Sequence, residues 1–146
     1  MSCIRFNTPA QRRQMRESAL HLAEGEVALL HLSPAVTDSK IERLRLLAKH
    51  DNPKIRESVA SSRNTPEDVL RTLAADSDEG VRACIARNES TPCDVLSTLA
   101  TDGSEKVRGW VALNYYVPED AMATLAQDRS KVVRGLVSWK ASIAEH

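Results

Sequence analysis

The sequence predicts an all-α fold of stacked two-helix units, a solenoid, and three observations carry that expectation. A period of 26 residues runs through the chain: Leu-x-x-Leu-Ala recurs as Leu44, Leu47, Ala48, then Leu70, Leu73, Ala74, then Leu96, Leu99, Ala100, and with methionine in front as Met122, Leu125, Ala126. An aliphatic residue followed by arginine keeps step at Ile55-Arg56, Val81-Arg82, Val107-Arg108 and Val133-Arg134. Pro66, Pro92 and Pro118 fall into the same register, so half of the six prolines lie 26 residues apart. Self-similarity at this period marks tandem supersecondary units rather than a series of independent helices.

Residues 1–38 do not keep the register. Thr8-Pro9 followed by Gln11 predicts a helix to about Glu24, ended by Gly25, and Val27–Leu32 is a short apolar segment before Ser33-Pro34. This stretch is expected to be an N-terminal helical cap over the first unit's open face. Four units follow at 39–64, 65–90, 91–116 and 117–142, with 143–146 as a tail, all within one domain. In each unit the column Ser39, Thr65, Thr91, Val117 is expected to N-cap the first helix, with Glu42, Asp68, Asp94 and Asp120 three residues on, as in a capping box. Proline directly after the cap costs nothing, because its missing N–H would be unpaired there anyway. Asn52, Asp78, Ser104 and Ser130 form the cap column of the second helix. Asn88 and Asn114 offer a residue type that tolerates the left-handed conformation at a helix end.

Helices of about ten residues are marginal alone in water, so stability must come from stacking. Val69, Leu70, Leu73 and Ala74 share one face of a first helix, and Val81, Cys84 and Ile85 share one face of a second. Gly80, Gly109 and Gly135 fall inside the second helices. Each costs about 0.5–1 kcal/mol against alanine, so these helices are expected to be weak and open to 3₁₀-like winding.

Composition excludes several classes. The 146 residues contain five aromatics and no apolar run near membrane-spanning length, so no membrane association is expected. The start Met-Ser-Cys-Ile-Arg-Phe lacks secretory features, which makes a cytoplasmic location the expectation. Cys3, Cys84 and Cys93 have neither the number nor the spacing of a disulfide framework, zinc site or cluster. Formal net charge is zero, although residues 1–64 carry eleven Lys/Arg against seven Asp/Glu and residues 65–146 carry nine against thirteen. That asymmetry is either a solvated surface or the basis of head-to-tail association or of a basic docking patch at Arg5, Arg12, Arg13 and Arg16.

The stretch from Asn64 to Asn88, with Thr65-Pro66-Glu67-Asp68-Val69-Leu70 and Asp76-Ser77-Asp78-Glu79-Gly80-Val81-Arg82, resembles the bacterial leucine-rich repeat variant family. Its Asp-x-Asp-x-x-Val-Arg portion is also similar to HEAT repeats. The likeness extends over residues 39–142. It implies a right-handed superhelix of alternating α and 3₁₀ helices without a sheet, and no shared catalytic activity. Some family members hold an N-terminal iron–sulfur cluster, but here only Cys3 precedes the repeats, so no cofactor is expected.

No catalytic or metal-binding set emerges. His21, His31, His50 and His146 show no metal-ligand spacing and no glycine-rich phosphate loop occurs, so the chain is expected not to be an enzyme. Cys93 opens a helix, where the dipole favours a thiolate, but Glu67 and Glu119 stand at the matching positions, which favours an exposed filler over a nucleophile. The column Arg56, Arg82, Arg108 and Arg134 could track a phosphate backbone. Asp76, Asp102 and Asp128 precede three of these arginines by six residues, with Asp51 near the fourth, so charge pairing within or between layers accounts for both columns. HEAT-type repeats carry such an Asp–Arg ladder, as the resemblance implies. On that view neutralising one arginine lowers stability more than binding.

A helical wheel at 100° per residue turns positions 57, 60, 61 and their equivalents away from the core. Down the chain these become small and apolar, ending in Gly109, Ala112, Leu113 and Gly135, Ser138, Trp139, with Arg87 one unit earlier. Trp110 is expected to face the core. Tyr115 and Tyr116 replace polar loop residues, so four of the five aromatics fall between 110 and 139. They either form a partner site or seal the C-terminal end of the stack. The expected function is a non-enzymatic scaffold that binds a protein or peptide on its concave face through Arg87, Leu113, Tyr115, Tyr116 and Trp139. The alternative is a nucleic-acid binder using Arg12, Arg13, Arg16 and the arginine column, and the same C-terminal repeat could support a homodimer.

Overall fold

The computed structural model describes residues 36–144. The expected N-terminal cap, with Arg5, Arg12, Arg13, Arg16, Cys3, His21 and His31, lies outside the described residues, as does His146. Among the described residues there are eight α-helices and no strand. They form four pairs: α1 (Asp38–Leu47) with α2 (Pro53–Ala60), α3 (Glu67–Leu73) with α4 (Glu79–Arg87), α5 (Cys93–Leu99) with α6 (Glu105–Leu113), and α7 (Glu119–Ala126) with α8 (Lys131–Ala144). The second helices are α-helical throughout, so the 3₁₀-like expectation does not hold. Packing against neighbours on both sides offsets the weak propensity of Gly80 and Gly109.

Each pair packs on the next in chain order. The most extensive contacts join successive second helices, α2 to α4, α4 to α6 and α6 to α8. Between them lie Ala60, Ala83, Ala86 and Ala112, all buried, and at Gly109 an added Cβ would stand 3.4 Å from Leu136 Cδ1. Small side chains here let helix backbones approach closely. The first helices contribute Leu70, Leu73, Leu96, Leu99 and Leu125, and the second Val81, Ile85, Val107, Val111 and Val133, to one continuous buried cluster. In α1 the matching Leu44 and Leu47 are only half-buried.

The helix ends differ from the sequence expectation in instructive ways. Thr37, not Ser39, caps α1, its hydroxyl accepting from the Lys40 N–H. In α3, α5 and α7 the cap residue is Pro66, Pro92 or Pro118, so there is no side-chain cap. The threonines before them turn elsewhere. Thr65 Oγ1 donates to Val59 O (2.6 Å) and Thr91 Oγ1 to Ile85 O (2.7 Å), each tying the start of one pair to the preceding second helix. Val117, without a hydroxyl, cannot do this. The second cap column fares better: Asn52, Asp78 and Ser130 accept first-turn N–H groups. Ser104 sits at the cap position, but its hydroxyl bonds Glu79 of the preceding pair.

Asn88 and Asn114 are not left-handed. Their φ values are −70° and −61°, and no non-glycine residue among those described has positive φ. Their amides instead reach back one pair. Asn88 Nδ2 donates to Ala60 O (2.7 Å) and Ser62 O (3.0 Å); Asn114 Nδ2 donates to Ala86 O (2.7 Å) and Asn88 O (3.2 Å). The carbonyls at a helix C-terminus have no partner within the helix, and these amides supply one from the next pair. The other end of each amide accepts the N–H two residues on, from Ser90 and Tyr116. Lys140 takes over the column in the last pair, its Nζ donating to Ala112 O and Asn114 O, and burial pushes that ammonium's pKa down. Lysine imposes no turn, so α8 runs on to Ala144 and the first two residues of the expected 143–146 tail are helical.

Asn114→Ala is expected to leave two carbonyls of buried bonds without their amide donor and to cost about 1–3 kcal/mol, read as a lower urea midpoint with an unchanged m-value. An unaltered midpoint would show that water replaces the amide at no cost.

Candidate interaction surface

The arginine column is built into the packing between pairs. Arg56 donates through Nε and Nη2 to both oxygens of Asp76 (2.7 and 2.9 Å), 20 residues ahead in the next pair. Arg82 does the same with Asp102 (2.8 and 3.1 Å) and Arg108 with Asp128 (2.7 and 3.2 Å). The third guanidinium nitrogen turns to its own pair's loop: Arg82 Nη1 bonds Asp76 O, and Arg108 Nη1 bonds Asp102 O and Gly103 O. The six-residue spacing therefore runs through a backbone carbonyl, and each carboxylate belongs to the arginine of the preceding pair. Asp51 likewise offers Arg56 only its carbonyl.

Bidentate pairing of this kind is strong and directional. It is also covered, the Arg108 and Asp128 side chains being 5% and 6% exposed. Arg56 holds Asp76 below its ordinary value of 3.8, and Arg108 does so for Asp128. At Asp102 burial acts most strongly and raises the pKa, but bonds from Arg82 and the Ser104 N–H outweigh it, so the net shift is also downward. These arginines are committed to carboxylates, and presenting them to phosphate would require breaking the ladder.

A second ladder links the first helices, and the sequence reading missed it by assigning its acids to capping. Arg45 Nε meets Asp68 (3.3 Å), Arg71 meets Asp94, and Ser97 Oγ meets Asp120 (2.8 Å). Arg45 and Arg71 also reach back to Glu42 and Glu67. Its signal was a pair of arginines 26 residues apart, each 23 residues ahead of an aspartate. This ladder is exposed.

The outward face of the second helices is not the one the helical wheel chose. Positions 60, 83, 86, 109 and 112 are buried between neighbouring second helices, so the expected floor of small residues faces solvent only at Gly135 and Ser138 of α8. Of the chosen columns only Ser61, Arg87, Leu113 and Trp139 are exposed all along. They share a face with Lys54, Ser58, Gly80, Cys84, Lys106, Trp110, Val132, Leu136 and Ile143, which are exposed or half-buried. Trp110 thus lies at the surface edge of the core, with the Arg87 guanidinium 5.4 Å from its ring centroid. Glu57, half-buried between Lys54 and Gly80, is the acid beside that face, and its carboxylate is bonded to Lys54. The cations Lys54, Arg87 and Lys106 come first along the chain, and apolar Leu113, Val132, Leu136, Trp139 and Ile143 follow.

Tyr115 and Tyr116 project from the loop after α6, exposed and packed edge to face with ring centroids 4.9 Å apart. Cys93 is exposed at the start of α5, its thiol 3.8 Å from Tyr116 O. His50 is an exposed loop residue whose Nδ1 accepts the Asn52 N–H. Among the described residues no cluster of three or more His, Cys, Asp or Glu is placed to hold a metal ion, and no helix is long and apolar enough to cross a membrane.

No family model, curated protein or solved structure matches this chain significantly. The exposed faces are therefore judged on their own chemistry.

Two outcomes follow from the inner ladder. Arg108→Leu leaves Asp128 buried without its cation and is expected to cost about 3–5 kcal/mol, whereas Arg45→Leu, on the exposed ladder, should leave the thermal midpoint close to that of the parent protein. Equal losses would place the two ladders on the same footing. The lowered pKa values of Asp76, Asp102 and Asp128 mean that the unfolded chain binds more protons as pH falls. Their contribution is complete above the ordinary carboxylate value and is lost as pH drops through it towards the lowered folded values. Urea midpoints should therefore hold steady from about pH 7 to 5 and fall below about pH 4, less steeply in Arg108→Leu.

Proposed function

We propose that this chain is a two-helix solenoid with a 26-residue repeat, related to the leucine-rich repeat variant and HEAT-like arrays. It acts as a non-enzymatic scaffold that binds a protein or peptide on the exposed face of its second helices. One observation carries this reading. On the face formed by α2, α4, α6 and α8, Glu57 is taken up by Lys54, whereas Arg87 and Lys106 meet no carboxylate among the described residues, and the face continues into Trp110, Leu113, Val132 and Leu136. An amphipathic segment with acidic residues at one end and large apolar residues at the other complements it in both charge and hydropathy. Aromatic and arginine side chains at interface centres carry a disproportionate share of binding energy, which makes the Arg87–Trp110 stack the expected anchor. Tyr115 and Tyr116 belong to the rim of the same proposed site.

Nucleic acid is disfavoured because three of the four column arginines already hold carboxylates, which leaves that reading to Arg134 with Arg12, Arg13 and Arg16.

Selection of random helical peptides against the immobilised protein is expected to enrich acidic residues beside large apolar residues spaced three or four apart. Leu113→Asp should weaken a selected peptide roughly tenfold with an unchanged thermal midpoint. Basic selected peptides, or equal binding to Leu113→Asp, would reject the site. Tight, steeply salt-dependent binding of mixed-sequence oligonucleotides would favour nucleic acid instead.

A further inference from the structure

Four arginines share one column, but among the described residues only three meet a carboxylate. In Arg82 and Arg108 one nitrogen, Nη1, is fixed by the carbonyls of the arginine's own loop, which turns Nε and Nη2 towards the next pair as a ready fork. Arg134 is held in the same way. Its Nη1 donates to Asp128 O and its side chain is half-buried, yet among the described residues no acid meets Nε and Nη2.

The surface around it is open as well. Positions buried in the α5–α6 pair lose their cover one pair later: Leu96 corresponds to half-buried Met122, Ala100 to exposed Ala126, Gly109 to exposed Gly135, and Ala112 to exposed Ser138. The edge of α7 and α8 thus offers small and apolar side chains around one oriented cation.

We infer that this edge docks a helical segment of another polypeptide that presents an aspartate two residues before its helix N-cap, with the carboxylate entering the Nε–Nη2 fork of Arg134. The occupied copies define that partner. Asp76, Asp102 and Asp128 each accept, at Oδ1, the N–H of the residue two positions on, and those residues, Asp78, Ser104 and Ser130, stand immediately before α4, α6 and α8. An Asp-x-Asp or Asp-x-Ser helix start therefore has the geometry that three of the four forks already bind. A second copy of this chain fits less well. Its first pair carries His50 at the corresponding position, where Nδ1 makes the same two-residue turn to Asn52 but brings no carboxylate. This edge is separate from the face proposed above, and either can fail without the other.

The probe is a synthetic peptide of residues 117–142, whose Asp128 would stand opposite Arg134 as it stands opposite Arg108 in the chain. It is titrated into the full-length protein, and the Arg134 Nε–H resonance is followed by NMR. That resonance is expected to shift on binding. The Asp128→Asn peptide should bind roughly fivefold more weakly to the parent protein, but with no further loss to an Arg134→Gln protein, since the two changes remove one shared contact. Leu113→Asp protein should bind the peptide normally. Equal binding of the two peptides, parent-like binding by Arg134→Gln, or no binding up to the peptide's solubility limit would each overturn the inference. Concentration-dependent self-association that Arg134→Gln abolishes would assign the edge to a second copy and overturn the choice of partner.

Discussion

Short helices have almost no middle. With four N–H and four C=O groups unpaired at its two ends, a helix of seven to nine residues leaves most of its backbone polarity to be satisfied from outside. In this chain that partner is the neighbouring helix pair. Asn88 and Asn114 close the carbonyl ends of α2 and α4, Lys140 closes that of α6, and Thr65 and Thr91 bind carbonyls near the ends of α2 and α4. A pair removed from its neighbour would lose both the cover for its leucines and the donors for its own carbonyls. Apolar and polar terms thus point to the same arrangement, which is the consistency expected of a sequence that specifies one fold.

The inner ladder extends this logic to charge. A buried guanidinium is tolerable only when its donors are filled, and each interior arginine divides them between loop carbonyls of its own pair and a carboxylate of the next. The aspartate in turn accepts a backbone N–H, which orders the loop leading into the following helix. One side-chain pair therefore fixes loop conformation, helix start and the register between neighbours. The outer ladder, open to water, has the same spacing logic but lacks this burden. It has also drifted chemically, with Ser97 in the place held earlier by Arg45 and Arg71.

The helices and their pairing were legible in the sequence because leucine, valine and proline columns at 26-residue intervals report local amphipathicity directly. The caps were less so. A threonine before a proline looks like an N-cap, but the proline itself occupies that position and frees the hydroxyl for a carbonyl six residues back, a long-range use that no local pattern encodes. Asparagine at a helix end looked like a turn former for the same reason, although its amide serves the previous pair. The outward face was misjudged on different grounds. A helix wedged between two others is buried over far more than one stripe, so Ala86 and Ala112, read as solvent-facing, lie at contact surfaces, while Trp110 packs against the core as expected and keeps one edge at the surface. Small residues carry little hydropathy signal, and that is why the width of the buried arc was invisible.

Neutrality of the whole chain conceals how its charges are distributed. Asp76, Asp102 and Asp128 are consumed inside the inner ladder, and Asp68, Asp94 and Asp120 in the outer one. Glu57 is tied to Lys54. Beside the exposed apolar side chains of the second helices, Arg87 and Lys106 remain as cations that pair with no carboxylate among the described residues. Uncompensated cations beside apolar surface create a local potential even when the sum of charges is zero, and such a potential acts on the approach and orientation of a partner more than on final affinity. Packing acids between helices and leaving bases beside tryptophan is thus one arrangement with two effects: it holds neighbouring pairs in register, and it gives the surface a sign.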